Sequence, residues 1–149
     1  MRFSAPFVSR ALALAHEAAA MGEVPVGAVI VREGRIIGEG HNRTRQDRDP
    51  TAHAEIVAIR AAATALGTER LSGCDLVVTL EPCAMCAGAI SHARIARLYY
   101  GASDTKGGGV EHGARVFEQD QCLHAPEVHS GLGEAEAANL LQSFFRQRR

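Results

Sequence analysis

The segment Leu76-Val77-Val78-Thr79-Leu80-Glu81-Pro82-Cys83-Ala84-Met85-Cys86 joins a strand to a helix and decides the fold. Its first five residues are aliphatic or β-branched, which is typical of a buried strand. Proline favours the first position of a helix, so Pro82 predicts a helix that begins there and runs through Ile90. Both cysteines would then lie at the N-terminus of that helix, where the backbone dipole stabilises a thiolate.

A second helix start carries an imidazole and a carboxylate. His53 and Glu55 follow a polar loop at residues 47–51, and the pattern predicts a helix from Ala54 to Leu66 that Gly67 ends. In a sheet with helices packed on it, ligand sites form at the C-terminal ends of strands and at adjoining helix N-termini. We therefore expect the two helix starts to lie together.

The side chains at these two helix starts form a metal-ligand set. One imidazole and two thiolates suit a tetrahedral Zn²⁺ whose fourth position stays open to water. The sequence predicts one catalytic zinc per chain, held by His53, Cys83 and Cys86, with Glu55 as a general acid/base. Two alternatives stay open for the cysteines, namely a structural zinc site and a redox dithiol. A structural site would need a fourth ligand and has no use for Glu55.

Length and composition indicate an ordinary globular protein. The 149 residues predict a single domain over residues 1–149, and 46% apolar with 22% charged residues is usual for a soluble protein. The net charge of −1 means that a nucleic acid would have to be bound by a local basic patch. We expect a cytoplasmic protein without a membrane partner, because neither a signal peptide nor a bilayer-spanning apolar run is recognisable.

The periodicity of apolar residues predicts the remaining elements. They are a helix at residues 6–21, a hairpin of strands at 26–31 and 35–40, a strand at 94–100, a helical turn near 116–117, a short strand near 128 and a helix at 134–146. Together with the elements above, this order predicts an α/β fold in three layers, α/β/α. A central mixed sheet of about five strands would have helices on both faces.

Several segments resemble the bacterial tRNA-specific adenosine deaminases, which have a cytidine deaminase-like fold. They are Gly22-Glu23-Val24-Pro25-Val26-Gly27-Ala28-Val29, Gly38-Glu39-Gly40-His41-Asn42-Arg43, Asp49-Pro50-Thr51-Ala52-His53-Ala54-Glu55-Ile56 and residues 79–90. Residues 140–149 are similar to that family's last helix, so the resemblance covers nearly the whole chain. It implies hydrolytic deamination of adenosine to inosine at the wobble position of a tRNA anticodon. It also implies a homodimer that binds the anticodon stem-loop.

The resemblance implies roles for individual residues. Glu55 would move protons between water, the base and the departing amine. The predicted substrate-binding residues are Asn42, Val26, Ala54, Asp104, Lys106, Phe144 and Arg146. Further basic side chains that could contact RNA are Arg43, Arg45, Arg48, Arg148 and Arg149. Glu81, next to the ligand turn, is expected to support the zinc ligands through its backbone and side chain.

Two features depart from the family's pattern. His41 stands where bacterial members commonly carry Trp, and Glu111-His112-Gly113-Ala114-Arg115 within residues 108–123 replaces a more apolar stretch. Since the zinc chemistry is shared, deamination of free nucleobases or nucleosides, such as guanine or cytosine, is the alternative function. A non-catalytic zinc-stabilised interaction module is a third hypothesis, against which Glu55 argues.

Overall fold

The computed structural model describes residues 4–148; Arg149, a predicted RNA contact, lies outside them. The helices are α1 (Ser4–Ala20), α2 (Ala54–Leu66), α3 (Ala84–Ala93) and α4 (Glu134–Gln147). The strands are β1 (Gly27–Arg32), β2 (Arg35–His41), β3 (Asp75–Leu80), β4 (Arg97–Ala102) and β5 (Glu127–His129), with one 3₁₀ turn at Val116–Glu118. Within the described chain, no helix has the length and apolar character needed to cross a membrane.

One mixed sheet organises these elements in the order β2-β1-β3-β4-β5. Strand β1 runs antiparallel to both β2 and β3, whereas β3, β4 and β5 are parallel. The register pairs the end of β2 with the start of β1, and the ends of β3 and β4 with each other. The loops that follow β2, β3 and β4 therefore leave from the same edge of the sheet. The predicted mixed sheet of about five strands is confirmed.

The two faces of the sheet pack against different helices. Alternate strand residues such as Ile30 and Leu76 form one core with Ala58 of α2 and Ile90 of α3. The residues between them, such as Val29 and Val77, pack against α1, and α4 joins that face through Ala137 beside Leu12 and Ala102. This alternation follows from the two-residue period of a strand. The predicted three-layer α/β/α arrangement is confirmed.

Glycines bring α2 unusually close to the sheet. Gly38 and Gly40 of β2 face α2, and a Cβ atom on Gly40 would lie 2.6 Å from the carbonyl oxygen of Ala54. The small side chains of Ala54, Ala58 and Ala62 on the facing side of α2 are fully buried. The N-terminus of α2 is thus fixed by direct backbone packing.

The predicted bounds around α3 need correction. Cys83 has extended backbone angles and is the N-cap, so Pro82 precedes the helix and is not its first residue. The helix continues past Ile90 to Ala93 and ends at Arg94, which adopts the left-handed conformation with φ 65°. Strand β4 accordingly begins at Arg97 and not at residue 94. No glycine marks this helix end, which is why the sequence did not indicate it.

Candidate active site

The three predicted zinc ligands lie together at two helix starts. His53 is the N-cap of α2, Cys83 is the N-cap of α3, and Cys86 lies in the first turn of α3. His53 Nδ1 is 3.5 Å from the Sγ atoms of both cysteines, and the three donor atoms lie within 4.8 Å of one another. Usual Zn–N and Zn–S bond lengths at a tetrahedral angle would separate nitrogen from sulphur by about 3.6 Å. The donor set therefore fits a zinc ion.

Cys83 is the donor whose pKa favours the deprotonated form that binds a metal ion. Hydrogen bonds from Cys86, aided by His53, outweigh burial and lower the pKa of Cys83 to about 4. The hydrogen bond that Cys86 donates to Cys83, together with burial, raises the pKa of Cys86. The hydrogen bond between His53 and Cys83 raises the pKa of His53. Two adjacent thiolates repel each other. Cys86 would therefore lose its proton when a bound divalent cation compensates the second negative charge.

Glu55 supplies a buried carboxyl group beside this donor set. It lies in the first turn of α2 and is 4% exposed. Burial, together with the nearby Cys83 thiolate, raises the pKa of Glu55 to about 7 against the opposing effects of hydrogen bonds and of the charge of His53. A carboxyl group with a pKa near neutrality can both accept and release a proton at physiological pH, as an acid/base catalyst requires.

A cavity of about 350 Å³ opens beside these groups, and His53, Glu55 and Cys83 form part of its wall. This volume is within the range of small-molecule sites. Four of the predicted substrate-binding residues also line it, namely Asn42, Val26, Ala54 and Asp104. Asn42 is 7% exposed and the neighbouring Val26 is buried. The cavity therefore combines apolar surface with one buried amide next to the candidate zinc centre.

The other three predicted substrate-binding residues lie outside the wall of this cavity. Lys106 is exposed on the loop after Asp104, whose carboxylate accepts its backbone N–H at 3.1 Å. Arg146 is exposed near the end of α4. Phe144 is buried, and the Arg148 guanidinium lies over one face of its ring, 3.9 Å from the ring centroid. The adjacent Phe145 is 50% exposed and is therefore the ring that faces solvent.

The side chain of Glu81 supports the loop after β4, whereas the sequence predicted that it would support the zinc ligands. Its carboxylate is buried and accepts hydrogen bonds from residues of the loop after β4, including Asp104 and His112, and not from the zinc ligands. Burial alone would raise the pKa of Glu81, but these hydrogen bonds outweigh burial and lower it. Glu81 also forms part of the cavity wall, with four residues that the sequence did not indicate, which are Val24, Thr44, Leu80 and Gly107.

Comparison with known proteins agrees with this geometry. Residues 1–102 match the family model of the cytidine and deoxycytidylate deaminase zinc-binding region. The tRNA-specific adenosine deaminase of Agrobacterium fabrum is 59% identical over 143 residues, which cover 96% of this chain and 94% of that protein.

Two solved deaminase structures share this fold. One from a study of A-to-I editing by tRNA:A34 deaminases at the wobble position of transfer RNA has a TM-score of 0.90 at 60% identity, covering 91% of this chain and 99% of that one. Guanine deaminase from Nitrosomonas europaea has a TM-score of 0.80 at only 26% identity, covering 93% and 82%. The chain therefore belongs to the zinc-binding cytidine and deoxycytidylate deaminase family and, within it, to the tRNA-specific adenosine deaminases.

Proposed function

We propose that the protein is a zinc-dependent hydrolase that converts adenosine to inosine at the wobble position of a tRNA anticodon. One observation carries the chemistry: His53 and Cys83, two members of the three-donor zinc set, share the wall of one cavity with the buried carboxyl group of Glu55. The substrate is supported by the 59% identity to a tRNA-specific adenosine deaminase. A structural zinc site would have four protein ligands, and a redox dithiol would need neither His53 nor Glu55.

The chemistry follows from the placement of Glu55. His53, Cys83 and Cys86 would hold the ion, which when bound lowers the pKa of water towards neutrality. As the oxygen of the attacking water adds to C6 of adenine, Glu55 takes a proton from that water. Glu55 then passes this proton to the ring nitrogen N1. Glu55 then carries the second proton of the water to the amino group, which leaves as ammonia. One water is consumed and inosine remains, so the reaction is hydrolytic.

The cavity wall can orient the base. We assign Asn42 to hydrogen bonds with the base or its ribose, since its buried amide offers both a donor and an acceptor. Val26 and Ala54 provide apolar surface for the base. Asp104 lies in the same wall and can accept hydrogen bonds from the nucleotide. These contacts would exclude bulk water from the reacting carbon.

Binding of the anticodon stem-loop would use the surface around the cavity. Lys106 and Arg146 are exposed cations for phosphates, and Phe145 can stack on an unpaired base. Phe144 would then act indirectly, because it supports Phe145 in an edge-to-face contact at 5.4 Å. Arg43 is already paired with Asp47 at 3.0 Å, which makes it a weaker candidate.

The same proposal includes a homodimer in the cytoplasm. Leu123 at 83% exposure leaves apolar surface open on the single chain, and a second copy that contributes to RNA binding would cover it. Size-exclusion chromatography with light scattering, with and without the stem-loop, measures the assembly. A monomer that binds and deaminates the stem-loop at micromolar concentration would contradict the dimer.

The decisive experiment compares substrates. A stem-loop with adenosine at the wobble position should be deaminated, while free adenosine, guanine and cytosine should not. Mass spectrometry of nuclease digests measures inosine, and total cellular tRNA treated in the same way identifies the modified position. Rapid turnover of free guanine with an inert stem-loop would replace this proposal with the alternative, a deaminase of free bases.

A further inference from the structure

Two buried glutamates hold the loops that border the cavity. The 44–46 loop follows β2 and contributes Thr44 to the wall, and the 104–112 loop follows β4 and contributes Asp104 and Gly107. Strands β1 and β3 lie between β2 and β4 in the sheet, so the two loops border the cavity from two sides. Neither loop contains a strand or an α-helix, so its shape depends on what its backbone binds.

Glu23 holds the 44–46 loop. Its side chain is 1% exposed. Its Oε2 accepts the backbone N–H groups of Gln46 at 2.8 Å and Arg45 at 3.1 Å, and its Oε1 receives the Thr44 hydroxyl at 3.5 Å. The next residue along the chain, Val24, lines the cavity itself. Glu23 therefore connects two parts of the cavity wall that are about twenty positions apart in the sequence.

Glu81 holds the 104–112 loop in the same manner. One carboxylate oxygen accepts the backbone N–H of Asp104 at 3.0 Å and the imidazole of His112 at 2.7 Å. The other accepts the N–H groups of Val110, Glu111 and His112 at 3.2, 2.9 and 3.1 Å. Both oxygens are thus surrounded by donors, and the carboxylate is only 2% exposed.

The 104–112 loop also packs on the turn that carries the zinc ligands. The N–H of Gly109 donates to the carbonyl of Pro82 at 2.8 Å. A Cβ atom on Gly109 would lie 2.5 Å from the nitrogen of Ala84 and 2.9 Å from the carbonyl carbon of Cys83. Tyr100 adds a hydrogen bond to Glu111. The position of this loop is therefore set relative to the reacting centre.

We propose that Glu23 and Glu81 are positioning residues, whose carboxylates fix the two loops in the shape that accepts the base. This inference rests on the proposed function. A buried carboxylate is costly unless it is fully hydrogen-bonded, and here nearly every bond goes to a cavity-wall loop. The isosteric amide of glutamine cannot replace it, because its NH₂ group would face backbone N–H donors and leave them unpaired.

The test is a set of kinetic measurements on Glu23→Gln and Glu81→Gln. Both variants should keep about one zinc per chain, yet lose about 10- to 100-fold in kcat/KM on the stem-loop, mostly through a higher KM, because a misplaced wall weakens base binding. Asp75→Asn is the matched control. Asp75 is also a buried carboxylate, 6% exposed, but it pairs with Arg97 at the opposite edge of the sheet. Asp75→Asn should lower the melting temperature and leave KM unchanged.

His112→Ala keeps the inference testable if the glutamine variants do not fold. It removes one of the hydrogen bonds to Glu81 from a partly exposed side chain, and KM should rise by a smaller factor. Kinetic constants of all three variants within about twofold of Asp75→Asn would overturn the inference, as would loss of zinc from Glu81→Gln. An inert wild type would instead refute the proposed function, so the two failures are distinguishable.

Discussion

Gly40→Ala tests whether the packing of α2 on the sheet positions the reacting groups. The added Cβ would lie 2.6 Å from the oxygen of Ala54, 2.7 Å from the nitrogen of Ala58 and 2.8 Å from the Cβ of Val57. Two of these atoms belong to the backbone, so no side chain can rotate away. Ordinary contact begins at 3.4 Å, so α2 must retreat by about 0.8 Å. Overpacking of this kind costs about 1–3 kcal/mol.

Part of that cost is offset, because alanine restricts the unfolded chain more than glycine and contributes about 0.4–1 kcal/mol. We expect a net loss of about 1–2 kcal/mol, or about 2–4 °C of melting temperature per kcal/mol in a protein of this size. Because α2 begins next to His53 and carries Glu55, the shift should also lower kcat/KM by about 10- to 100-fold.

The assay combines urea unfolding, followed by circular dichroism, with deamination of the stem-loop. Gly88→Ala is the matched control, since no atom lies within 4 Å of its added Cβ in the interior of α3. Alanine favours a helix over glycine by about 1 kcal/mol, so this variant should be as stable as the wild type or more stable. Gly40→Ala with wild-type stability and kinetics would refute the packing argument.

Three further predictions concern single side chains. Cys86→Ala should lose its zinc and unfold at a lower temperature, because metal binding is coupled to folding; full zinc content by metal analysis would remove Cys86 from the ligand set. Glu55→Gln should keep zinc and fold but lose about 10²-fold or more in turnover, and a wild-type rate would mean that Glu55 has another role. Glu39→Gln should cost about 0.5–1 kcal/mol at pH 7, because it breaks the partly buried pair with Arg10. That ion pair lowers the pKa of Glu39 from its ordinary value. A carboxylate whose pKa is lower in the folded state stabilises the protein at pH values above its unfolded pKa, and this contribution is lost as the pH falls through its folded pKa. The difference in unfolding free energy between wild type and Glu39→Gln should therefore vanish at acidic pH, and a constant difference down to about pH 3 would contradict the ion pair.

The sequence predicted elements best where both ends carry a local signal. The predicted bounds of α2 agree with the structure, because Gly67 adopts φ 71° and its N–H caps the helix. The predicted end of α3 was wrong, because Arg94 adopts the left-handed backbone conformation at a position where a glycine usually marks the end of a helix. The strands were recognisable from their own apolar residues, whereas their order in the sheet was not predicted.

In the candidate site, some residues were likewise recognisable from the sequence and others were not. The zinc ligands are recognisable because cysteine and histidine at helix starts form a chemical pattern along the chain. Glu23 and Glu81 were not recognised as loop supports, because their partners are backbone N–H groups 22 to 31 positions away. Backbone groups are the same at every residue, so a pattern of side chains does not reveal them. The burial of Phe144 was not predicted; it lies seven positions after buried Ala137 on the same helix face.

The residues expected to carry out the chemistry lie on different elements from those expected to select the base. His53 and Glu55 stand at the start of α2, which packs directly on the sheet through glycine and alanine and therefore has little freedom to move. The cavity wall instead depends on loops held by two carboxylates. Except at Gly109, which packs against Cys83 and Ala84, a change in loop sequence can reshape the wall without moving the zinc ligands. A guanine deaminase with a TM-score of 0.80 at 26% identity shows how widely sequence can vary on this fold. The base that the cavity accepts is therefore expected to depend on the 44–46 and 104–112 loops, while the hydrolytic chemistry depends on the starts of α2 and α3.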